Sequence, residues 1–590
     1  NAGTDVDLSG GTCNVTITGL NATPLAAAGL SGVWTVTSGQ EANSYSFSDP
    51  TDPKSTFHGQ SGESYTLSWT LTVNDTYCSD LLSDEITVTF ASCEDNIVFD
   101  GVDDFISFGN NYSLTGSPFS IEVWIKTAVI GGTQTILSKR DTSLPNTGYD
   151  LTLANNVLQF NYNNASVRAA QVIDASRWYH VAVTFNGAVY NMFIDGINVR
   201  LNTTGTAPAV NGKNALIGAV ASSSFNPINY FNGGLTGGLD EIRFWNVALS
   251  TDQIRLMMNQ EIKEDASNVI GSVTGTPVAS GLTWASLSGY YQMNQLTNVD
   301  ISNGNLNANN GSPLTGKLMN MTDLQAQTAP LPYVSTTAGG NWTSPSTWQN
   351  GNVQMLPNSN GVNGTPINWN IVRTRANINS TNKNITILGL FIDSNILSVA
   401  NTNPTDGQSL TVTKYLNIGA GAVLDLVGES QLLQPEGSIV GTGTGILERD
   451  QQGTGNMFNY NYWGSPVSTD GTLGARTYDL RRAINDGNQQ INWIAPHTFL
   501  PTSSPVSIST RWLYTYKGDD GDYDVWNRIT PDSPIDVGVG FIMKGSGINT
   551  ATDKNYTFKG QPNSGTIIVN IGGPNQAVVI GNPYPSAIDA

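Results

Sequence analysis

Residues 177–196 read "RWYHVAVTFNGAVYNMFIDG", and this stretch decides the fold class of the chain around it. Trp178, His180, Ala182 and Thr184 alternate with Tyr179, Val181, Val183 and Phe185. A period of two puts the sets on opposite faces of a strand, and the face of Tyr179, Val181, Val183 and Phe185 is the apolar one. The expectation is a strand buried on one side, with His180 half-exposed on the other. The following run, "VYNMFI", closes on Asp195-Gly196, a dipeptide that suits the turn of a β-hairpin.

The same grammar extends along the chain. Short alternating runs broken by Gly, Asn, Asp and Pro predict an all-β protein built as a tandem array. The exception is "LSTDQIRLMMNQEI" (249–262), where Ser250 or Thr251 can cap a helix and Ile254, Met257 and Met258 fall at helical spacing. "TYDLRRAINDG" is a second pattern of this kind. Breaks in pattern divide the chain into 1–93, 95–262, a transition or linker at 263–335, 336–455 and 456–590. In 336–455, triplets of Ile, Leu and Val recur between Gly and Asn corners, as in a short β-solenoid.

Composition narrows the function classes. A chain of 590 residues has room for several cores. A net charge of −20 repels phosphate backbones and anionic lipid heads, so nucleic acid is not an expected partner. No apolar stretch reaches the ~18–20 residues of a membrane span. Cys13, Cys78 and Cys93 are the only cysteines, which suits an exported protein with one disulfide and one thiol left over. Spacing alone leaves all three pairings open. The chain starts without Met or a signal-peptide pattern and stops just after the apolar run Val578-Val579-Ile580. The expectation is a piece of a longer secreted protein, continuing past both ends.

Several strings resemble known families. "GVWTVTSGQEANSYSFSDPTDPKSTFHGQSGESYTLSWTLTVNDTYCSD" (32–80), through Trp34, Phe57, Gly59, Tyr65, Trp69 and Cys78, resembles the Ig-like (PKD-like) repeats of very large surface proteins in gliding, type-IX-secreting bacteria. That resemblance implies a Cys13–Cys78 disulfide with Cys93 free. "IVFDGVDDFISFGN", "FSIEVWIKT", "RWYHVAVTF" and "GGLDEIRFWN" resemble a laminin-G-like, concanavalin-A-like jelly roll over 95–262, expected to fold alone. "NWTSPSTW" (341–348) and the aromatic strings after 456 are similar to segments of secreted proteins from the same bacteria. Together these imply a cell-surface adhesin or surface-structural protein. Its partners would be the type IX translocon and its outer-membrane carrier during export, then a glycan or protein ligand. The alternative is the non-catalytic part of a secreted carbohydrate-active enzyme.

Catalytic patterns are sparse. His58, His180 and His497 fall in different units. Among carboxylates, Glu122, Asp240 with Glu241, and Glu429 with Glu436 are the pairs to weigh for glycoside hydrolysis. Strand alternation sends Asp240 and Glu241 to opposite faces, and Glu122 is similar to a position that is structural in lectin-like domains. The chain is therefore read as a non-enzyme. A cation fits better: Asp100, Asp103 and Asp104 crowd one loop, and Ca²⁺ accepts irregular oxygen ligands. Asp240 is the expected fourth ligand. The other reading of the loop is an Asp-Gly turn with solvated carboxylates.

Non-reducing peptide mapping is expected to recover a Cys13–Cys78 peptide. In the chain-entropy model a bridge closing that loop contributes ~4 kcal/mol. A peptide joining Cys93 to either partner would overturn the assignment.

Overall fold

The structure is a computed structural model that describes residues 1–7, 16–17, 19–23, 30–38, 45–58, 64–73, 82–89, 96–115, 118–141, 144–221, 234–278, 281–294, 296–297, 304–321, 324–325, 328–403, 406–470, 476–495, 503–519, 521–547 and 553–588. Cys13, Cys78, Cys93 and His497 lie outside the described residues, so the disulfide expectation does too. No helix among the described residues is long and apolar enough to cross a membrane.

The hairpin read from sequence forms. Tyr179–Phe185 pairs antiparallel with Val189–Ile194. Ile194 then faces Ile197 across Asp195 (φ 51) and Gly196 (φ 70), the left-handed pair that a two-residue turn needs. Tyr179–Phe185 also pairs with Phe119–Thr127, which pairs with Thr236–Trp245 and through it with Asn96–Asp100. These strands belong to an eight-stranded sheet facing a nine-stranded one, and Val181, Val183, Ile121, Leu151 and Phe160 fill the space between.

Two expectations about this unit are corrected. His180 is 1% exposed, not half-exposed. The outer face of the sheet is covered by the helix Thr251–Met257 and by the chain that follows it, where Ile254, Met257, Ile262 and Tyr290 pack on Ala182, Phe193 and Trp245. The segment 263–335 is also no linker. Leu287–Tyr291 pairs with Thr236–Trp245, Gly316–Met319 with Phe105–Ser107, and Leu324–Gln325 with Asn96–Asp100. Residues 95–262 alone would leave those edges open, so they do not form a closed unit.

The helix starts where expected. Ser250 caps it by accepting from Gln253 N, and the Gln253 side chain returns the bond to Ser250 N. It ends at Met257, short of the expected Ile262, and side chains from the sheet bond to the carbonyls at and just beyond that end. Trp124 Nε1 donates to Met258 O at 2.7 Å, and Arg243 donates to Met257 O and Gln260 O at 3.3 and 2.8 Å.

The described residues of 1–89 form a four-stranded and a three-stranded sheet, with Trp34 opposite Trp69 at 5.2 Å between rings. The solenoid reading of 336–455 corresponds to two parallel sheets. One stacks Ile371–Thr374, Ile385–Ile392 and Ser409–Ile418; the other stacks Ile378–Asn379, Ile396–Val399, Val423–Leu426 and Ile446–Thr454. Val372, Leu390, Leu397, Leu410, Leu424 and Leu447 line the interior, fully buried. "NWTSPSTW" closes the first rung, with Trp342 and Trp348 buried edge to face. At the other end, Asp553–Pro562 pairs antiparallel along Ile446–Thr454 from Leu447↔Gly560 to Thr454↔Asp553. That strand caps the open edge a parallel stack would otherwise present. One core runs from Tyr333 to Phe558, so the boundary expected near 455 falls inside a continuous unit. Gln576–Val578 forms a strand, but Ile580 is 70% exposed.

The jelly roll and the solenoid meet at the Asp195–Gly196 turn. Trp369 Nε1 donates to Asp195 O at 3.0 Å, Arg255 Nε donates to Gly196 O at 3.1 Å, and the Arg255 guanidinium lies 3.8 Å over the Trp369 ring. A Cβ on Gly196 would stand 2.6 Å from Trp369 Nε1. Gly196→Ala therefore meets both an unfavourable φ and a clash. It is expected to destabilise this junction by about 1–3 kcal/mol. Calorimetry of the 590-residue chain should show a lowered first transition, and an unchanged thermogram would refute the junction's role.

Candidate functional site

Asp100 ends one strand and Phe105 begins the next, and the loop between them holds the acidic cluster. Asp100 Oδ1 accepts from Val102 N at 2.7 Å and Asp103 N at 3.2 Å, and Asp104 Oδ2 accepts from Asp100 N at 2.8 Å. Gly101 sits at φ 79, with Thr236 Oγ1 where a Cβ would go. The loop is thus an Asp-Gly turn, as one reading held. It also gathers carboxylates: one oxygen from each of Asp100, Asp103 and Asp104 lies within 4.8 Å of the others. A hard divalent cation that takes several irregularly placed oxygen ligands is the kind of ion whose donor set this cluster could supply in part.

Asp240 is not brought to this cluster. Asp100 faces Thr236 across the sheet, and Asp240 lies four residues further along that strand, about 13 Å away. Its carboxylate accepts from Ala329 N at 3.1 Å.

The strand carrying Asp240 bulges. Glu122 faces Arg243 and Trp124 faces Asp240, leaving Glu241 and Ile242 opposite one residue, with Glu241 at φ 52. Asp240 and Glu241 therefore both turn to the covered outer side, which corrects the expectation that they point to opposite faces.

There Arg243 NH1 donates to Glu122 Oε1 at 3.2 Å, while its NH2 pairs with Glu241. Trp245 Nε1 donates to the same Glu122 oxygen at 3.1 Å, Tyr290 donates its hydroxyl to Glu241 at 2.8 Å, and His180 Nε2 stands 3.6 Å from Glu122. Burial raises the Glu122 carboxyl, but His180 and Arg243 outweigh it and hold it below its usual range. Burial likewise raises Glu241, there without full compensation from Arg243 and Tyr290. These groups are sealed under Met257, Gln260 and Tyr290, so they hold the sheet's cover in place. The sequence signal for them was available: charged residues inside the apolar strands "IEVW" and "DEIRFW" have to be paired when both faces are covered.

Nearby, burial pushes the Asp195 carboxyl up to about 6, against Arg177 and the N–H of His180. Glu436 lines a cleft of 410 Å³ with Asn563 and Tyr584; Glu429 does not.

Residues 100–255 match the family model of the concanavalin A-like lectin/glucanases superfamily, and this part of the chain is a concanavalin A-like jelly roll. Residues 334–590 match a domain of unknown function, a range that agrees with the single core of the solenoid and its cap. No curated protein matches the chain. Among solved structures, a candidate carbohydrate-binding protein from Bacteroides ovatus is similar at 13% identity, covering 56% of this chain and 97% of that one, with a TM-score of 0.29. A heptameric SAP-like pentraxin from Limulus polyphemus is similar at 18% identity, over 26% and 81% of the two chains, TM-score 0.20. Domains LG4-5 of the mouse laminin α1 chain are similar at 11% identity, over 33% and 51%, TM-score 0.22.

Removing Arg243 would leave Glu122 and Glu241 buried without their cation. Arg243→Met is expected to cost about 3–5 kcal/mol. Urea unfolding followed by tryptophan fluorescence should show an early transition, and an unmoved midpoint would show that the network carries no stability.

Proposed function

We propose that the jelly roll is a glycan-binding module of a secreted cell-surface adhesin, and that the Asp100–Asp104 loop holds Ca²⁺ beside the bound ligand. The observation that carries this reading is the acidic cluster, set on a loop at one end of a fold whose family takes its name from lectins. Asp100, Asp103 and Asp104 would supply one oxygen each, leaving further positions on the ion for water and sugar hydroxyls. Asp240 is no longer part of the proposed ligand set. The surface role, export by the type IX translocon with its outer-membrane carrier, and a link to gliding rest on the resemblance of 32–80 and of the strings after 341 to proteins of such bacteria. Loss of the protein from the surface of a translocon-deficient strain of the native bacterium is the test of that route.

Calcium binding to the folded state raises stability with ion concentration. Millimolar Ca²⁺ is expected to raise the jelly-roll transition by about 2–4 °C. The Asp100→Ala/Asp103→Ala variant should lose the shift, and glycan-array signals should fall with EDTA. If wild type and variant melt alike with and without calcium, the loop is only a turn.

A further inference from the structure

A second sheet carries an unusual surface. In the cap, Tyr460–Trp463, Phe541–Lys544, Leu513–Asp519 and Trp526–Arg528 lie side by side. One face is core: Phe541, Met543 and Leu513 are fully buried. Alternation turns the neighbours of those residues to the other face, where Ile542 is itself buried at 6% exposure between its flanking strands. Tyr462, Ile542, Tyr514 and Arg528 stand in register across all four strands. Tyr460 stands in register with Lys544, whose ammonium lies 3.9 Å over the Trp512 ring and 5.0 Å over that of Tyr460. Tyr516 pairs with Trp526, rings 5.1 Å apart. Tyr462 is 65% exposed, and Tyr523 on the rim is 84% exposed. Burial pushes the Tyr460 hydroxyl up, and the hydroxyls of Tyr514, Tyr523 and Tyr462 add to the shift.

We infer that this face is a second ligand site, an aromatic platform for an extended neutral polysaccharide. Tyr and Trp offer a rigid apolar ring and a polar tip at low entropic cost, which suits a ligand that is apolar on its ring faces and hydroxylated at its edges. Strands lie ~4.8 Å apart, so Tyr462 and Tyr514, two strands apart, are separated by about 10 Å, the length of two pyranose rings in an extended β-linked chain. Both signs are present, Lys544 and Arg528 on the sheet and Asp522 and Asp524 flanking Tyr523 at its rim. That local balance supplies hydrogen-bond donors and acceptors for hydroxyl groups, and the net charge of −20 disfavours polyanions.

The test is native affinity electrophoresis of the 590-residue chain in gels containing hydroxyethylcellulose, xylan, galactomannan or, separately, polygalacturonate. Retardation by at least one neutral glycan is expected, insensitive to salt and to EDTA. Tyr462→Ala and Tyr462→Ala/Tyr514→Ala should weaken it by about tenfold or more. Tyr462 is exposed enough that the single variant keeps its fold, checked by its melting curve. Retention on polygalacturonate alone, no retardation by any neutral glycan, or retardation that both variants keep would overturn the platform. Retardation abolished by EDTA or by Asp100→Ala/Asp103→Ala would assign the binding to the jelly roll and overturn the platform, so the two readings fail separately.

Discussion

The buried guanidinium of Arg243 is the contact on which the jelly roll's covered face depends. A cation there is tolerable only because Glu122 and Glu241 flank it and two backbone carbonyls accept from its NH1 and NH2 groups, while Nε has no partner. Those carbonyls belong to Met257 and Gln260, at the end of the helix, so the ion network is also the clamp that holds the helix on the sheet. The bulge at Asp240 and Glu241 makes the clamp possible. Without it, strict alternation would send one of the two carboxylates into the apolar interior among Leu239 and Ile242.

Once the outer face is covered, the rest of the chain has something to build on. Asn259, just past the helix, donates to Pro330 O and accepts from Asn370 of the solenoid. The Asp195–Gly196 turn is gripped from one side by Arg255 of the helix and from the other by Trp369. The solenoid residues Ile367, Trp369 and Ile371 thereby join the jelly-roll core. The solenoid is closed in its turn by Trp342 and Trp348 at one end and by the long antiparallel strand of the cap at the other. In these places an edge or a face is covered by another element of the same chain.

The two candidate ligand surfaces draw on different physics. The Asp100–Asp104 loop is electrostatic: like charges held together by a turn whose backbone N–H groups satisfy part of them. The cap sheet is a matter of area and shape, with rings in register over a packed core.

The all-β class, the Asp195-Gly196 hairpin, the Ser250 cap and the parallel rungs were legible in the sequence, because turn chemistry and short-range periodicity set them locally. The acidic loop was legible for the same reason: its carboxylates are neighbours in the chain. What sequence alone misread depends on residues far apart. His180 becomes buried only because the helix folds over its strand. Asp240 stands away from the acidic loop because it lies four residues beyond Thr236, the partner of Asp100, and Glu241 joins it on one face only because a bulge shifts the register against Phe119–Thr127. The stretch 263–335 looks like a linker because it is turn-rich and carries Pro330 and Pro332, while the partners of two of its strands lie more than two hundred residues away. Alternation along one strand fixes which residues share a face, but which faces are covered is decided by the elements that pack on them, and that is settled only in the folded chain.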